Sequence, residues 1–520
     1  MTLPLPVLAP PLLLLLALAA LARPGRRPRP LPLVAEAAAL AALALALGGA
    51  AQAVVFGTQV VAFGAGPFLV LLRLDLVGAV MSLLIGFVGW VVVRYARAHL
   101  DGEAREGAFH GWLLATLASV QILALAGSLA TLVLGFLGVG LGLGRLLLFY
   151  PGRPAARRAA TKFALVWGAG DVALLLAALL LWNGFGTADL AAINAAAAAG
   201  AASPATGVAA GLLVLAALLK TGSLPLHGWL TEVMEAPTPV SALLHAGIIN
   251  AGGLLLIRLA EPMQASPGAM AALVMLGGFT ALCAGLVMLT QPAVKTALAW
   301  STVAQMGFML LQCGLGLWAL ALLHIVAHAL YKAHAFLGSG TAVRGVLAVR
   351  RPGPVAVPGL AAVGRAFAIA VAIYALVAAG FWAVFGPKPG QALALGAILV
   401  FGVAYLVAQG LADAAPRALT RRTTLVSAGA ALAYFAFHRL AEALTAGSLP
   451  PPPALGALET ALLVLTVLSF GVVAVAQALL PHWAHHPAAA GLRVHLANGL
   501  YLNAALDRLI GGFRTGKSPL

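Results

Sequence analysis

Apolar runs of about twenty residues follow one another from one end of the chain to the other, separated by short polar joints. The runs are continuous rather than alternating, so each predicts a helix long enough to cross a bilayer and not a barrel strand. About fifteen such spans begin near Leu3, Leu33, Leu74, Gly111, Thr131, Phe163, Val208, Val240, Ala269, Thr296, Leu317, Leu360, Ala392, Thr424 and Leu458. No Pro/Ser linker or polar block large enough for a soluble domain interrupts them. The alanine-rich stretch from Ala191 to Ala202 reads as an external loop. The pattern divides the chain into N-terminal transmembrane helices (1–108), a core (109–345), C-terminal transmembrane helices (346–480) and a polar tail (481–520). The fold expected is all-α and polytopic, with 14–15 transmembrane helices and a broken helix at its centre.

Composition agrees. Of 520 residues 62% are hydrophobic and only 8% charged, and the mean hydropathy is +1.03. A soluble domain carries about a quarter of its residues as Asp, Glu, Lys and Arg, so that class is excluded. The net charge of +16 would suit nucleic acid if it formed a patch. Instead the basic residues sit in the joints, which makes the bilayer the partner and nucleic acid not one.

Those joints alternate. Arg23, Arg26, Arg27 and Arg29 follow the first span, Arg94, Arg97 and Arg105 the third, and Arg153, Arg157, Arg158 and Lys162 the fifth. Later come Arg344, Arg350, Arg351 and Arg365, then Arg417, Arg421 and Arg422, and finally the tail with Arg493, Arg508, Arg514 and Lys517. The other joints hold little more than Arg73, Arg258, Lys388 and Arg439. The excess of positive charge marks cytoplasmic loops, which predicts a multi-pass inner (plasma) membrane protein with its N-terminus outside, its C-terminus inside and an odd number of spans. The segment from Met1 to Pro11 has no positive n-region, so the first span is expected to be retained. Cys283 and Cys313 lie in apolar runs and read as buried thiols.

Against this background the run from Lys220 to His245, KTGSLPLHGWLTEVMEAPTPVSALLH, is exceptional. It sets a lysine, two histidines (His227, His245) and two glutamates (Glu232, Glu235) among apolar spans. Ionisable groups at membrane depth cost several kcal/mol unless paired, so they mark ion or proton paths. Pro225, five residues beyond Lys220, removes a helical hydrogen bond and clashes with the preceding turn, which predicts a broken helix there. Interrupted helices open a polar cavity at mid-membrane. Lys220 with Glu235 or Glu232 then forms a proton site, the alternative being a static pair that pins the break. His245 lies beyond Pro237 and Pro239 and near Asn250, and belongs to the same path.

The eleventh span reads LHIVAHALYKAHAFLGSG. His324, His328 and Lys332 are spaced by four and line one helical face, while His334 falls on another. A histidine ladder ending in lysine suits proton transfer, because imidazole titrates near neutrality. It suits zinc poorly, having no cysteine or carboxylate at ligand spacing. The alternative is a polar stripe that fixes helix packing. Asp171 is an isolated acid at membrane depth, a partner for Lys220 or Lys332. Asp413 and Glu459 fall at span ends, and His482, His485 and His486 in the tail read as interfacial rather than metal-binding.

The runs KTGSLPLHGWLTEVMEAPTPVSALLHAG, LTQPAVKTALAWSTVAQMGFM and HIVAHALYKAHAFLGSG resemble the antiporter-like membrane subunits of respiratory NADH:quinone oxidoreductase and of multisubunit cation/proton antiporters. The resemblance is strongest from Phe109 to Ser339. It implies that Lys220, His245 and Lys332 belong to a central polar axis carrying protons between two half-channels. Two positions depart from it. The family's fifth-span glutamate falls at Leu137, and the lysine of a later broken helix falls near Val384, with Lys388 four residues on behind Pro387. The chain also has little room beyond RVHLANGLYLNAALDRLIGGF for the long lateral helix of the largest respiratory subunit. These departures, with the wording GWLTEVMEAPTPVSALLHAG and HALYKAHAFL, look most like the membrane subunits of DAB-type inorganic carbon pumps.

That resemblance implies a non-enzymatic subunit with no cofactor of its own, conducting protons or Na+ to drive a large zinc-binding, carbonic-anhydrase-like partner. The path expected is Lys220, Glu235, His245, His328 and Lys332, with Asp171, Glu232, His227 and His324 as further members. The competing functions are a proton-pumping subunit of a quinone oxidoreductase or cation/proton antiporter, and a non-conducting anchor that holds a partner at the membrane.

Overall fold

The computed structural model describes residues 3–341, 359–410 and 417–509. Arg344, Arg350, Arg351, Asp413, Arg514 and Lys517 lie outside them. Helices occupy every predicted span. In chain order they are α1 (Ala9–Leu21), α2 (Leu31–Phe56), α3 (Leu76–His99), α4 (Glu106–Ala124), α5 (Leu129–Leu147), α6 (Pro154–Phe185), the short α7 (Leu190–Ala198) and α8 (Pro204–Lys220). Then follow α9 (Gly228–Thr231), α10 (Thr238–Ala246), α11 (Ala251–Arg258), α12 (Ala260–Gln264), α13 (Pro267–Met288), α14 (Val294–Gly314) and α15 (Trp318–Leu337). The last group is α16 (Leu360–Phe385), α17 (Gly390–Gly410), α18 (Arg417–Thr445), α19 (Ala457–Ala478), α20 (Leu480–Trp483), α21 (Pro487–Ala497) and α22 (Leu502–Leu509).

Among the described residues ten segments are long and apolar enough to cross a membrane, and three more, Leu5–Leu21, Pro204–Lys220 and Gly390–Gly402, are shorter apolar helices. α14 and α18 complete the predicted set. They are the most polar of it, α14 carrying Lys295, Ser301, Thr302, Gln305 and Gln312 and α18 opening on Arg417, Arg421 and Arg422. One continuous apolar core joins helices from α1 to α15. The outer helices turn large apolar side chains such as Leu376 on α16 and Val472 on α19 outward, as lipid-facing helices do.

Three features differ from the sequence expectation. A β-hairpin, β1 (Gln59–Phe63) with β2 (Val70–Leu74), precedes α3, pairing from Gln59↔Leu74 to Phe63↔Val70. Gly64 and Gly66, at φ 79° and 59°, supply the turn. The hairpin's far edge is satisfied by the α4–α5 joint: Arg73 N donates to Leu125 O (2.7 Å) and Gly127 N to Leu71 O (2.8 Å). Second, the alanine-rich stretch is not a plain loop but contains α7, whose N-terminus is capped by Asp189 (Ala191 N to Oδ1, 2.8 Å). Third, the eighth span is also interrupted. After α10 the backbone at Gly247 leaves α geometry (φ −110°, ψ −75°) and passes through one 3-10 turn, Ile248–Asn250, before α11.

The predicted central break is present. α8 starts on a Ser203/Thr206 capping box and ends at Lys220. Gly222 at φ 62° turns the chain away, and Pro225, with no N–H to donate, lies in the non-helical stretch before α9.

Candidate functional site: a buried polar axis

The break leaves Lys220 at the end of α8, its side chain wholly buried. Its Nζ donates to Asp171 Oδ1 on α6 at 2.6 Å and lies 4.2 Å from the Trp167 ring centre and 4.6 Å from that of Phe136. A charge-assisted hydrogen bond and two ring faces thus take the place of water around the ammonium. Lys220 does not pair with Glu232 or Glu235, as the sequence reading expected. α9 and the 3-10 turn after it carry both glutamates toward the joint before α6. There Glu232 pairs with Lys162 and lies 3.7 Å from Arg158, and Glu235 lies 3.7 Å from Arg153.

On α5 the side chain facing Lys220 is Phe136. Leu137, where the family's glutamate was aligned, is 43% exposed on the outer side. One turn on, Gly140 makes room: a Cβ there would stand 2.7 Å from Trp167 Nε1 and 3.8 Å from Asp171 Oδ2. The carboxylate beside Lys220 therefore comes from α6 and not from α5.

His245 is fully buried on α10, and its ring stacks on Phe336 of α15 at 4.3 Å and 13°. Its Nδ1 lies 3.1 Å from Thr302 Oγ1. Thr302 Oγ1 itself donates to Leu298 O at 3.0 Å, so its one proton is committed and it accepts from His245 Nδ1–H. That assigns the tautomer and leaves Nε2 as a bare, buried acceptor. Lys332, one turn before Phe336, donates to Ser301 Oγ (2.8 Å) and to the same Leu298 carbonyl (3.2 Å). It is buried and, unlike Lys220, has no carboxylate against it among the described residues.

The ladder on α15 stands as its spacing predicted. His324 and His328 are 5.9 Å apart, and His324 Nδ1 is 2.9 Å from Gln312 Oε1. Neither nitrogen of His328 has a protein partner. Both imidazoles line an open cavity of about 500 Å³ bounded also by Ser301, Gln305, Gln312 and Tyr434 and by apolar side chains such as Phe308, Leu323 and Leu399, roomy enough for water. His227 lies within the break, its ring 4.6 Å from that of Trp300 and tilted 46° to it, with Nδ1 3.3 Å from Pro225 O and Nε2 without a partner among the described residues. Among the described residues no three His, Cys, Asp or Glu side chains gather as a metal-binding group.

Several polar residues escaped the sequence reading. Thr302 and Ser301 carry no charge to betray them. His110 on α4 is fully buried with neither nitrogen partnered, and its place in an apolar span was a usable signal. His438 on α18 accepts from Lys388 Nζ through Nδ1 at 2.8 Å, and its Nε2 is 3.3 Å from Glu442. Lys162, counted with the basic joint, is instead buried. Its Nζ holds Glu232, Asn503 Oδ1 (2.8 Å) and Asp507 Oδ1 (2.5 Å).

Residues 126–411 match the family described as NADH:quinone oxidoreductase/Mrp antiporter, TM. That match covers more than half of the chain. The protein belongs to this antiporter-like membrane-subunit family. Its members among curated proteins include the "Probable inorganic carbon transporter subunit DabB2" of Halothiobacillus neapolitanus, 36% identical over 90% of this chain and 85% of that one. The "Probable inorganic carbon transporter subunit DabB" of Hydrogenovibrio crunogenus is 45% identical over 51% of each chain. The NADH-quinone oxidoreductase subunit L of Mycobacterium tuberculosis is 36% identical over 52% of this chain and 43% of its own. The structure of the Mrp complex from Dietzia sp. DQ12-45-1b contains a chain with the same fold, at TM-score 0.66 and 24% identity, covering 99% of this chain and 60% of that one. In this antiporter-like subunit the buried axis of Lys220, His245 and Lys332 lies within the matched region.

Proposed function

We propose that this antiporter-like subunit is the membrane component of an energy-coupled inorganic carbon uptake complex, and that protons moving along its polar axis drive a carbonic-anhydrase-like partner. The observation that carries the reading is the likeness to inorganic carbon transporter subunits, 36% identical over 90% of this chain in one and 45% identical over 51% in another, against 36% over 52% for oxidoreductase subunit L. The axis supplies the means. Lys220 with Asp171 forms a proton site whose charged form depends on one short contact. Lys332 and His245 share a second site, and His328 and His324 lead from it into the open cavity beside Gln312. Basic joints face the cytoplasm, which sets the N-terminus outside the inner membrane.

The test is growth at ambient carbon dioxide of a host lacking carbonic anhydrase, given this chain and its large partner. Rescue by the wild-type pair that is lost with Lys220→Ala supports the reading. Rescue that survives Lys220→Ala removes Lys220 from the path. No rescue from a membrane-inserted pair moves the function to a respiratory or antiporter complex.

A further inference from the structure

Two buried lysines meet charged partners at two levels of α6. Lys162 and Asp171 are nine residues apart on that helix, about 14 Å along its axis, and each meets a residue in the stretch from the end of α8 to α10, Asp171 the last residue of α8 and Lys162 a residue after α9. At the Asp171 level the partner is Lys220. At the Lys162 level the partners come from two places: Glu232 just after α9, and Asn503 and Asp507 on α22.

α22 lies in the segment that the sequence pattern assigned to a polar tail outside the membrane domain. It is instead docked under the break. Asn503 Nδ2 donates to Glu232 Oε1 at 2.7 Å, Asp507 is 7% exposed, and Gly499 packs against Trp300 closely enough that a Cβ would meet its ring at 2.8 Å. Trp300 in turn packs against His227, the two rings 4.6 Å apart and tilted.

In its buried part the cluster is not a one-to-one clamp. One fully buried ammonium, Lys162, meets two carboxylates, Glu232 and Asp507, while Arg158 at 3.7 Å from Glu232 lies on the exposed rim with the Arg153–Glu235 pair beyond it. Lys162 therefore keeps one partner when contact with the other is lost, which a one-to-one bridge does not allow. Between this cluster and Lys220 the broken segment offers His227, with its unpartnered Nε2, then Ser223 and Thr221, whose hydroxyls are 2.9 Å apart. Phe163, Trp167 and Trp229 pack beside that route.

We propose that Lys162, Glu232 and Asp507 form an ion-loading site at the basic-loop mouth of the broken helix, completed by a carboxylate that α22 brings, and feeding Lys220 past His227. The proposal rests on the conducting path of the preceding section, and the experiment separates the two. Proton flux is measured in inverted membrane vesicles containing the full chain and its partner, for wild type, Asp507→Asn, Asp507→Glu and Lys220→Met. Docking of α22 is read independently from a Gly228→Cys/Asn503→Cys pair. A Cβ on Gly228 would lie 3.6 Å from that of Asn503, within disulfide range, and the bond is quantified by mass spectrometry with and without Asp507→Asn.

A loading carboxylate predicts at least a tenfold fall in flux for Asp507→Asn with the disulfide yield unchanged, and recovery of most of the flux in Asp507→Glu. Flux within twofold of wild type overturns the proposal, and so does a loss of flux accompanied by loss of the disulfide, which would make Asp507 an anchor. If Lys220→Met is inactive while Asp507→Asn conducts, only the loading site fails. If Lys220→Met conducts normally, the path itself fails.

Discussion

Lys332 and Thr302 donate to the same acceptor, the carbonyl of Leu298, at 3.2 and 3.0 Å. The lysine on α15 and the histidine on α10 are thereby linked through one backbone oxygen of α14, because Thr302 in turn accepts from His245 Nδ1. A change in the position or charge of the ammonium alters how strongly Leu298 O holds the Thr302 proton. Through it, the change reaches the tautomer of His245.

This link makes Thr302 a positioning residue for His245. Thr302→Val keeps the shape of the side chain and removes the acceptor of Nδ1–H, leaving either ring nitrogen free to carry the proton. Proton flux through the chain with its partner is expected to fall, by less than the roughly 10²–10⁴-fold that a direct proton-transfer group contributes, because Thr302 acts through His245. Thr302→Ser should restore most of it. Equal flux in the valine and serine variants would sink the assignment.

The two buried lysines should respond oppositely to removal. Asp171→Asn strands the Lys220 ammonium in a dry site, and breaking a buried pair from one side costs about 3–5 kcal/mol. The double change Lys220→Met/Asp171→Asn removes both charges and should recover much of that loss. Lys332 has only neutral acceptors, so Lys332→Met should leave stability unchanged or raise it while abolishing flux. Thermal unfolding in detergent, read on all three variants, decides: a Lys332→Met protein as destabilised as Asp171→Asn would contradict the account.

Much of this was legible in the chain and the remainder had definite reasons not to be. Spans follow from hydropathy because lipid allows no unpaired backbone, so each predicted span meets a helix. The α8 break follows from Pro225, and the His324/His328/Lys332 face from the spacing of four. What failed is pairing across elements. Lys220 was matched both to the glutamates near it in sequence and to Asp171; the break turns α9 away, and of these it is Asp171 on α6 that meets it. The interruption at Gly247 has no proline to announce it. Docking of Asp507 on Lys162 joins residues 345 positions apart, and local charge pattern made one a loop residue and the other part of a solvated tail. The short β-hairpin was hidden because its valines and leucines continue the apolar runs on either side.

Lys388 stands in the joint between α16 and α17, flanked by Pro387 and Pro389, with His438 Nδ1 at 2.8 Å. Burial lowers its pKa from the ordinary lysine range to about 8, Glu442 opposing the shift and Arg439 adding to it. A lysine depressed in the folded state binds its proton less tightly there than in the unfolded chain, so the charge penalises folding below about pH 8 and the penalty fades as pH rises from 8 toward the ordinary lysine value. Lys388→Met should therefore gain most in melting temperature relative to wild type near pH 7, with the difference shrinking by pH 10. A difference that is flat between those values would show that the amine is not depressed.

Arg258 ties three elements together on the face poor in basic residues. Its Nη1 donates to Asp75 Oδ2 at 2.6 Å and its Nη2 to the carbonyl of Ala124 at 2.7 Å, the end of α4. Asp75 meanwhile caps α3 through Gly78 N at 2.7 Å. The guanidinium therefore neutralises the cap, satisfies a helix-end carbonyl and anchors the end of α11, the helix that continues the His245 span. Arg258→Ala leaves a carboxylate and a carbonyl without partners, and a loss of about 3–5 kcal/mol is expected for a pair this buried. Arg258→Lys keeps the charge but has no planar fork to serve two acceptors set apart in this way, so it should recover less than half. If unfolding of Arg258→Lys matched the wild type, the second contact, to Ala124, would carry no weight and the anchoring of α11 would rest on charge alone.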